Sequence, residues 1–358
     1  MSAEELLVLF RSTRWGVVQA YFADIPAEGI YWNLKIRGPI DFAARGDYRH
    51  PGNPIYDYNR DQILWASIIG QGPTTELWRF DPHFSHVSTQ EVPIKIENFA
   101  LPCIVLDGKT VTLCGGGGRE VGRDWANVVM SRRGQDSKWT DLNFKSPGYN
   151  SIGTNSDMKG TVIYKPSVNA PLKYIYAFRY DGYLGLDIIR ESSFNELSRD
   201  DSIQWQHFKL TSVGYSWEED VWAPIITHDK VTRKNRLYIF TYVRTHGFFY
   251  TYFPLRQDGS IDSYDQSIKG QNPQHLPSKE MPNPKRLKVH EAGGRLILLL
   301  ETGDKKEPLL SYTGFIQDDG LAPQGKDWVQ VAISFDNLDT ATDVQTTYSS
   351  VITPSSYR

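Results

Sequence analysis

Short apolar runs recur along this chain roughly every 50–65 residues, a spacing that points to repeated supersecondary units. Six of them read as one kind of strand: EELLVLF from Glu4, DQILWA from Asp61, KTVTLC from Lys109, LKYIYAF from Leu172, RLYIFTY from Arg236 and RLILLLE from Arg295. A second pattern recurs beside it, an aromatic residue, two variable positions, then two apolar residues separated by one. It appears as Tyr31/Leu34/Ile36, Trp139/Leu142/Phe144, Trp205/Phe208/Leu210 and Trp328/Val331/Ile333. Strand-length alternation with almost no helical periodicity predicts an all-β chain. Its period predicts a six-bladed β-propeller.

Each repeat reads as four antiparallel strands, A to D. The runs above are strand B and the aromatic-led pattern is strand D. Strand A is expected in NPIYDY from Asn53, ALPCIVL from Ala100, KGTVIY from Lys159, WAPIITH from Trp222, KRLKVHE from Lys285 and SSVITP from Ser349. Strand C is expected over Val17–Ala23, Glu76–Phe80, Asn127–Arg133, Leu184–Glu191, Phe248–Leu255 and Leu309–Phe315, with Asp-Gly and Gly-Gly connections between strands. In the fifth repeat a degenerate strand D is expected around Tyr264–Ile268. The first repeat starts at strand B, and the last strand A has no strand B after it. The C-terminal strand is therefore expected to join the N-terminal blade, which would close the ring and remove exposed sheet edges. Residues 1–358 are read as one such domain. A two-sheet sandwich is the rival architecture, but it leaves the unpartnered final strand unexplained.

The remaining composition changes this picture little. A net charge of −3 without any basic stripe argues against nucleic acid or an anionic membrane as partner. Apolar runs such as Leu296–Leu300 are too short to span a bilayer as a helix. MSAEELLVLF lacks the basic start of a signal peptide, and no Asn-x-Ser/Thr acceptor occurs. The expected location is the cytoplasm, or outside the cell if a signal peptide has been removed. Oligomeric state is not legible. The two cysteines, Cys103 and Cys114, flank a turn at Asp107-Gly108-Lys109. If that hairpin turns on Gly108-Lys109 the two face each other, either as a cross-strand disulfide or as two small buried apolar residues.

In a propeller, the B–C and D–A connections share one face, around the mouth of the central channel. Here they carry many aromatic and donor side chains. Trp15, Trp125, Tyr149, Tyr183, Trp217, Trp222, Phe248 and His50 are the expected walls of one pocket, with His246, Arg49 and Tyr180 as catalytic donors. Such a site would take a small apolar or aromatic molecule. Sharper motifs fail. Gly115–Gly118 lacks dinucleotide spacing and a following helix, Gly108-Lys109-Thr110 lacks the phosphate-loop glycine, and no Gly-x-Ser-x-Gly elbow is present. His83 and His86 lack an acidic partner at ligand spacing, so neither metal nor cofactor is expected. Glycosidic hydrolysis would need two facing carboxylates, for which Glu218, Asp41, Glu120 and Asp157 are candidates by location.

Repeat length, apolar strand B and aromatic-led strand D together resemble the six-bladed fucose-binding lectins of fungi and their relatives in natural-product biosynthesis. The likeness spans the chain but is architectural. The lectins' recurring trio of Arg, Glu and aromatic cover is not met: Arg11, Arg79 and Arg190 are not equivalent, and FFYTYFPL in the fifth repeat holds no Glu. In character the chain is similar to propeller-type hetero-Diels–Alderases of tropolone–sesquiterpene pathways. That resemblance implies a cofactor-independent cycloaddition between a quinone methide-type diene and an apolar polyene. Aromatic walls would supply proximity, and His246, Arg49 or Tyr180 would supply a proton or hydrogen bond. The alternatives are a carbohydrate-binding lectin and, third, a glycoside hydrolase or lyase.

Overall fold

A computed structural model describes residues 5–13, 18–26, 33–42, 48–49, 54–57, 60–69, 74–83, 85–92, 97–107, 110–118, 125–133, 138–141, 158–164, 173–180, 183–190, 206–210, 222–228, 235–243, 247–256, 274–275, 286–302, 308–318, 321–323, 327–337 and 344–352. The described residues are almost all strand. They group into two compact units, Met1–Ile152 with Ala332–Arg358, and Gly153–Val331.

The first unit opens with β1 (Glu5–Thr13), β2 (Val18–Ile25) and β3 (Asn33–Phe42), a meander in which each strand pairs antiparallel with the next. The second sheet holds β4 (Tyr48–Arg49), β5 (Ile55–Asp57), β6 (Gln62–Ile69), β7 (Thr74–Phe80) and β8 (His86–Val92), where β4 and β5 both pair with β6. The third sheet is β9 (Glu97–Asp107), β10 (Thr110–Gly118), β11 (Trp125–Arg133) and β12 (Thr140–Asp141).

In the second unit, β13 (Met158–Tyr164), β14 (Lys173–Tyr180), β15 (Tyr183–Arg190) and β16 (Gln206–Leu210) form the fourth sheet. β17 (Trp222–His228), β18 (Asn235–Val243), β19 (Gly247–Leu255) and β20 (Gln274–His275) form the fifth. The sixth contains β21 (Arg286–Ala292), β22 (Arg295–Glu301), β23 (Leu309–Phe315) and the start of β24 (Val329–Phe335), where Val329–Val331 face Ser311–Thr313. The last strand, β25 (Val344–Ile352), belongs to the first unit and pairs antiparallel with β1, from Leu6 opposite Ile352 to Arg11 opposite Thr347. Also in the first unit, Ala332–Phe335 run parallel to Asn33–Ile36. The described residues of both units are all-β and are built mainly of antiparallel meanders.

Burial explains why the apolar runs were legible. A strand covered on both faces has no polar side, so it reads as an unbroken apolar stretch. Leu7, Val8 and Leu9 of β1, and Ile63 to Ala66 of β6, are buried in succession. Each buried aliphatic side chain contributes about 1.5–3 kcal/mol relative to exposure. Opposite Ala20–Phe22 of β2 the register shifts by an extra residue on β3, where Gly38 lies at φ +125, a conformation L side chains rarely adopt. A Cβ there would meet the Ala20 carbonyl oxygen at 2.9 Å.

In the second unit Tyr238, Phe240, Leu287, Leu296, Leu298 and Trp328 belong to one core cluster. Its polar atoms are paired. The Ala322 N–H donates to the Tyr238 hydroxyl at 3.0 Å, and Trp328 Nε1 donates to the Pro323 carbonyl at 2.8 Å. The Tyr250 hydroxyl donates toward the carbonyls of Ala322 and Pro323 at 3.4 and 3.3 Å. Burial pushes the pKa of both phenols well up, so neither ionises at ordinary pH.

β8, the outer strand of the second sheet, carries no aromatic lead, and of its residues only Val92 is buried. In the fifth sheet Gln274–His275 pairs with β19, and the expected strand around Tyr264–Ile268 lies outside the described residues. One strand expectation needs correction. The C-terminal strand begins at Val344, five residues before SSVITP, because VQTTY offers threonines rather than an apolar run.

Candidate functional site

One end of each meander gathers the B–C and D–A connections. At that end of the first sheet, strand register builds a polar row. Arg11 of β1 lies opposite Gln19 of β2, and Gln19 lies opposite Asp41 of β3. Thr347 of β25 extends the row on the other side of Arg11. Directly opposed residues share a sheet face, so four strands bring these four residues to one face. The adjacent row is apolar: Phe10, Ala20 and Ile40. Gln19 is only 4% exposed, and its Oε1 accepts from the Tyr21 hydroxyl at 3.0 Å. Tyr21 in turn meets Phe335 edge-on at 5.7 Å, which fixes the phenol.

The second sheet places a carboxylate at the same kind of end. Glu76, the third residue of β7, is 9% exposed, and its Oε2 accepts from Trp78 Nε1 at 3.0 Å. Ser67 and Glu91 lie directly opposite it. Trp78 is held by Phe80, stacked at 6.0 Å, and by Trp65 at 6.4 Å. Arg49 of β4 faces Ile68, one residue along β6 from Ser67.

The opposite end of the second sheet holds a buried ion cluster that sequence reasoning missed. Asp57, 1% exposed, accepts from Arg60 Nη1 at 2.8 Å and lies 4.0 Å from Arg79 Nη1. Gln62 Oε1 accepts from Arg79 Nη1 at 3.4 Å. The A–B turn is closed by the Arg60 N–H donating to the Asp57 carbonyl. Its position away from the B–C end, and its mutual pairing, fit a structural role. The Asp57–Arg60 spacing across a turn was its only signal in the sequence.

The expected site residues are partly placed. Tyr180 and Tyr183 face each other at the end of the β14–β15 hairpin. Trp222 lies opposite Thr241, and Phe248 opposite the adjacent Tyr242, so both sit at one end of the fifth sheet. Trp125 opens β11 opposite Gly118, and Arg49 lies in β4 as described above. Trp15, Tyr149, Trp217, His50 and His246 lie outside the described residues, as do Glu218, Glu120 and Asp157. Among the described residues, no group of three or more His, Cys, Asp or Glu is placed to hold a metal ion.

No family model matches the chain, and no curated protein matches its sequence. Solved structures do resemble it. One is the periplasmic gluconolactonase of Pseudomonas aeruginosa, 11% identical over 98% of this chain and 100% of that one, with a TM-score of 0.48. A second is the α-L-arabinanase of Cellvibrio cellulosa complexed with arabinohexaose, 10% identical over 78% and 96%, TM-score 0.45. A third is an α-L-arabinofuranosidase of Fusarium graminearum, 10% identical over 96% and 93%, TM-score 0.43. At these identities and TM-scores the likenesses assign no function to this chain.

They do correct one expectation. The structures found similar are named as a lactonase and as glycoside hydrolases, not as pericyclases, and nothing in them supports a terpenoid or tropolone link. The hetero-Diels–Alderase reading is therefore replaced.

Proposed function

We propose that the chain is a carbohydrate-active enzyme that cleaves glycosidic bonds, as hydrolase or lyase. The observation that carries this reading is the row Arg11–Gln19–Asp41, which strand register sets at the B–C end of the first sheet. Sugars are recognised by forks of donors and acceptors, and a guanidinium, an amide and a carboxylate supply both. Cleavage of a glycosidic bond asks for two carboxyl groups, one protonating the leaving oxygen and one activating water or attacking carbon. Asp41 is the first, and Glu76, buried beside an indole N–H, is its proposed partner. Aromatic residues at sheet ends, such as Trp125, suit the apolar faces of sugar rings. With this goes a single domain of six blades, each four-stranded sheet being one blade and β25 completing the first. The pairing of β25 with β1 supports that arrangement.

The test is release of nitrophenol from a panel of aryl glycosides, including arabinofuranosides and xylosides. At least one should be turned over, and Asp41→Asn should lower the rate about 10²–10⁴-fold with its melting temperature kept. Glu76→Gln and Glu218→Gln identify the second carboxylate by which of them shares that loss. A panel left wholly intact by the folded protein, or full activity in Asp41→Asn, overturns the proposal.

A further inference from the structure

The third sheet carries a cysteine pair independent of the glycosidic reading. The chain's only two cysteines, Cys103 of β9 and Cys114 of β10, are direct cross-strand partners. Asp107 pairs with Thr110, so two residues separate the strands and the register runs unbroken from there to the cysteine pair. Opposed residues of antiparallel strands lie on one face with Cα atoms about 4.5–5.5 Å apart. That falls inside the range of about 4.4–6.8 Å that a disulfide spans. Just beyond the pair the register shifts, with Gly116 opposite Ala100, and β10 ends in the run Gly115–Gly118. Glycines in a strand interior weaken it. The pair thus stands where a regular hairpin gives way to a glycine-rich, irregular stretch leading toward Trp125.

We infer that Cys103 and Cys114 form a reversible disulfide that pins this junction, with a small-molecule disulfide such as oxidised glutathione as the oxidant. A thiolate of one cysteine attacks the glutathione disulfide and releases one glutathione thiol. The second cysteine's thiolate then displaces the other glutathione, so two protein thiols become one protein disulfide and two glutathione thiols form. Excess thiol reverses both steps.

The test uses the full folded chain, incubated with oxidised or reduced glutathione, then denatured in N-ethylmaleimide and weighed intact. The reduced sample should carry two maleimide groups. The oxidised sample should carry none, lose about 2 Da for the two hydrogens, and yield one peptide pair joined through Cys103 and Cys114. Amide exchange over Gly115–Gly118 should slow on oxidation. Cys103→Ser should retain one maleimide group, or one glutathione adduct after oxidation. Two maleimide groups, glutathione adducts or a covalent dimer in the oxidised wild type would each overturn the inference.

Discussion

The sixth and second sheets share a strand order and differ in what fills them. In β22 every residue from Arg295 to Glu301 is buried, and the five between the charged ends are aliphatic. The second sheet buries Ile63 to Ala66 in the same manner, yet it also encloses Asp57, Glu76 and Arg79. Aliphatic filling is non-directional, so neighbours can partly relax into a vacated space. A buried ion pair is directional, and removing one partner strands the other charge away from water. One backbone plan therefore supports two kinds of interior, and each fails differently.

The sharpest way to break that comparison is a pair of substitutions followed by urea unfolding. Asp57→Ala should cost about 3–5 kcal/mol, because it leaves the Arg79 guanidinium buried without its carboxylate. Leu298→Ala in the sixth sheet should cost about 2–5 kcal/mol as a cavity. Compensation should separate the two sites. Adding Arg79→Met should restore part of the loss in Asp57→Ala, while its addition to Leu298→Ala should only add to the damage. Equal penalties for Arg79→Met on both backgrounds would mean that the pair does not hold the second sheet.

A smaller effect concerns pH. His290 of β21 is pushed down from 6.5 to about 3, by burial first and by the nearby Lys288 charge second. The folded chain holds it neutral while the unfolded chain takes up a proton at the ordinary value. Its contribution to stability is therefore fully present above about pH 6.5 and is lost as pH falls through the interval down to about 3. Urea midpoints for wild type should fall between pH 7 and about pH 4.5, and His290→Gln should flatten that slope. An unchanged slope in the variant would place the titrating group elsewhere.

Much of the fold was written in local pattern. The six strand B runs correspond to β1, β6, β10, β14, β18 and β22, and consecutive buried residues in β1, β6 and β22 account for the apolar stretches there. The aromatic-led pattern found β3, β12, β16 and β24 but could not find β8, whose His86–Glu91 segment faces largely outward. The site was less legible. Arg11, Gln19 and Asp41 are far apart in sequence, and only strand register sets them in one row. No local pattern marks Asp57 and Arg79 as buried, yet the sheet encloses both. The expected aromatic pocket draws on Trp15, His50, Tyr149, Trp217 and His246, which lie outside the described residues.

The account's architecture rests most heavily on the final strand completing the first sheet, a pairing that sets Thr347 beside Arg11 and extends the polar row to a fourth strand. Hydrogen–deuterium exchange under native conditions tests it directly. Amides of Val344–Ile352 should exchange as slowly as those of Glu5–Thr13, and the two strands should lose protection together as urea is raised. Exchange of Val344–Ile352 at the rate of an unstructured peptide, with Glu5–Thr13 still protected, would contradict the account.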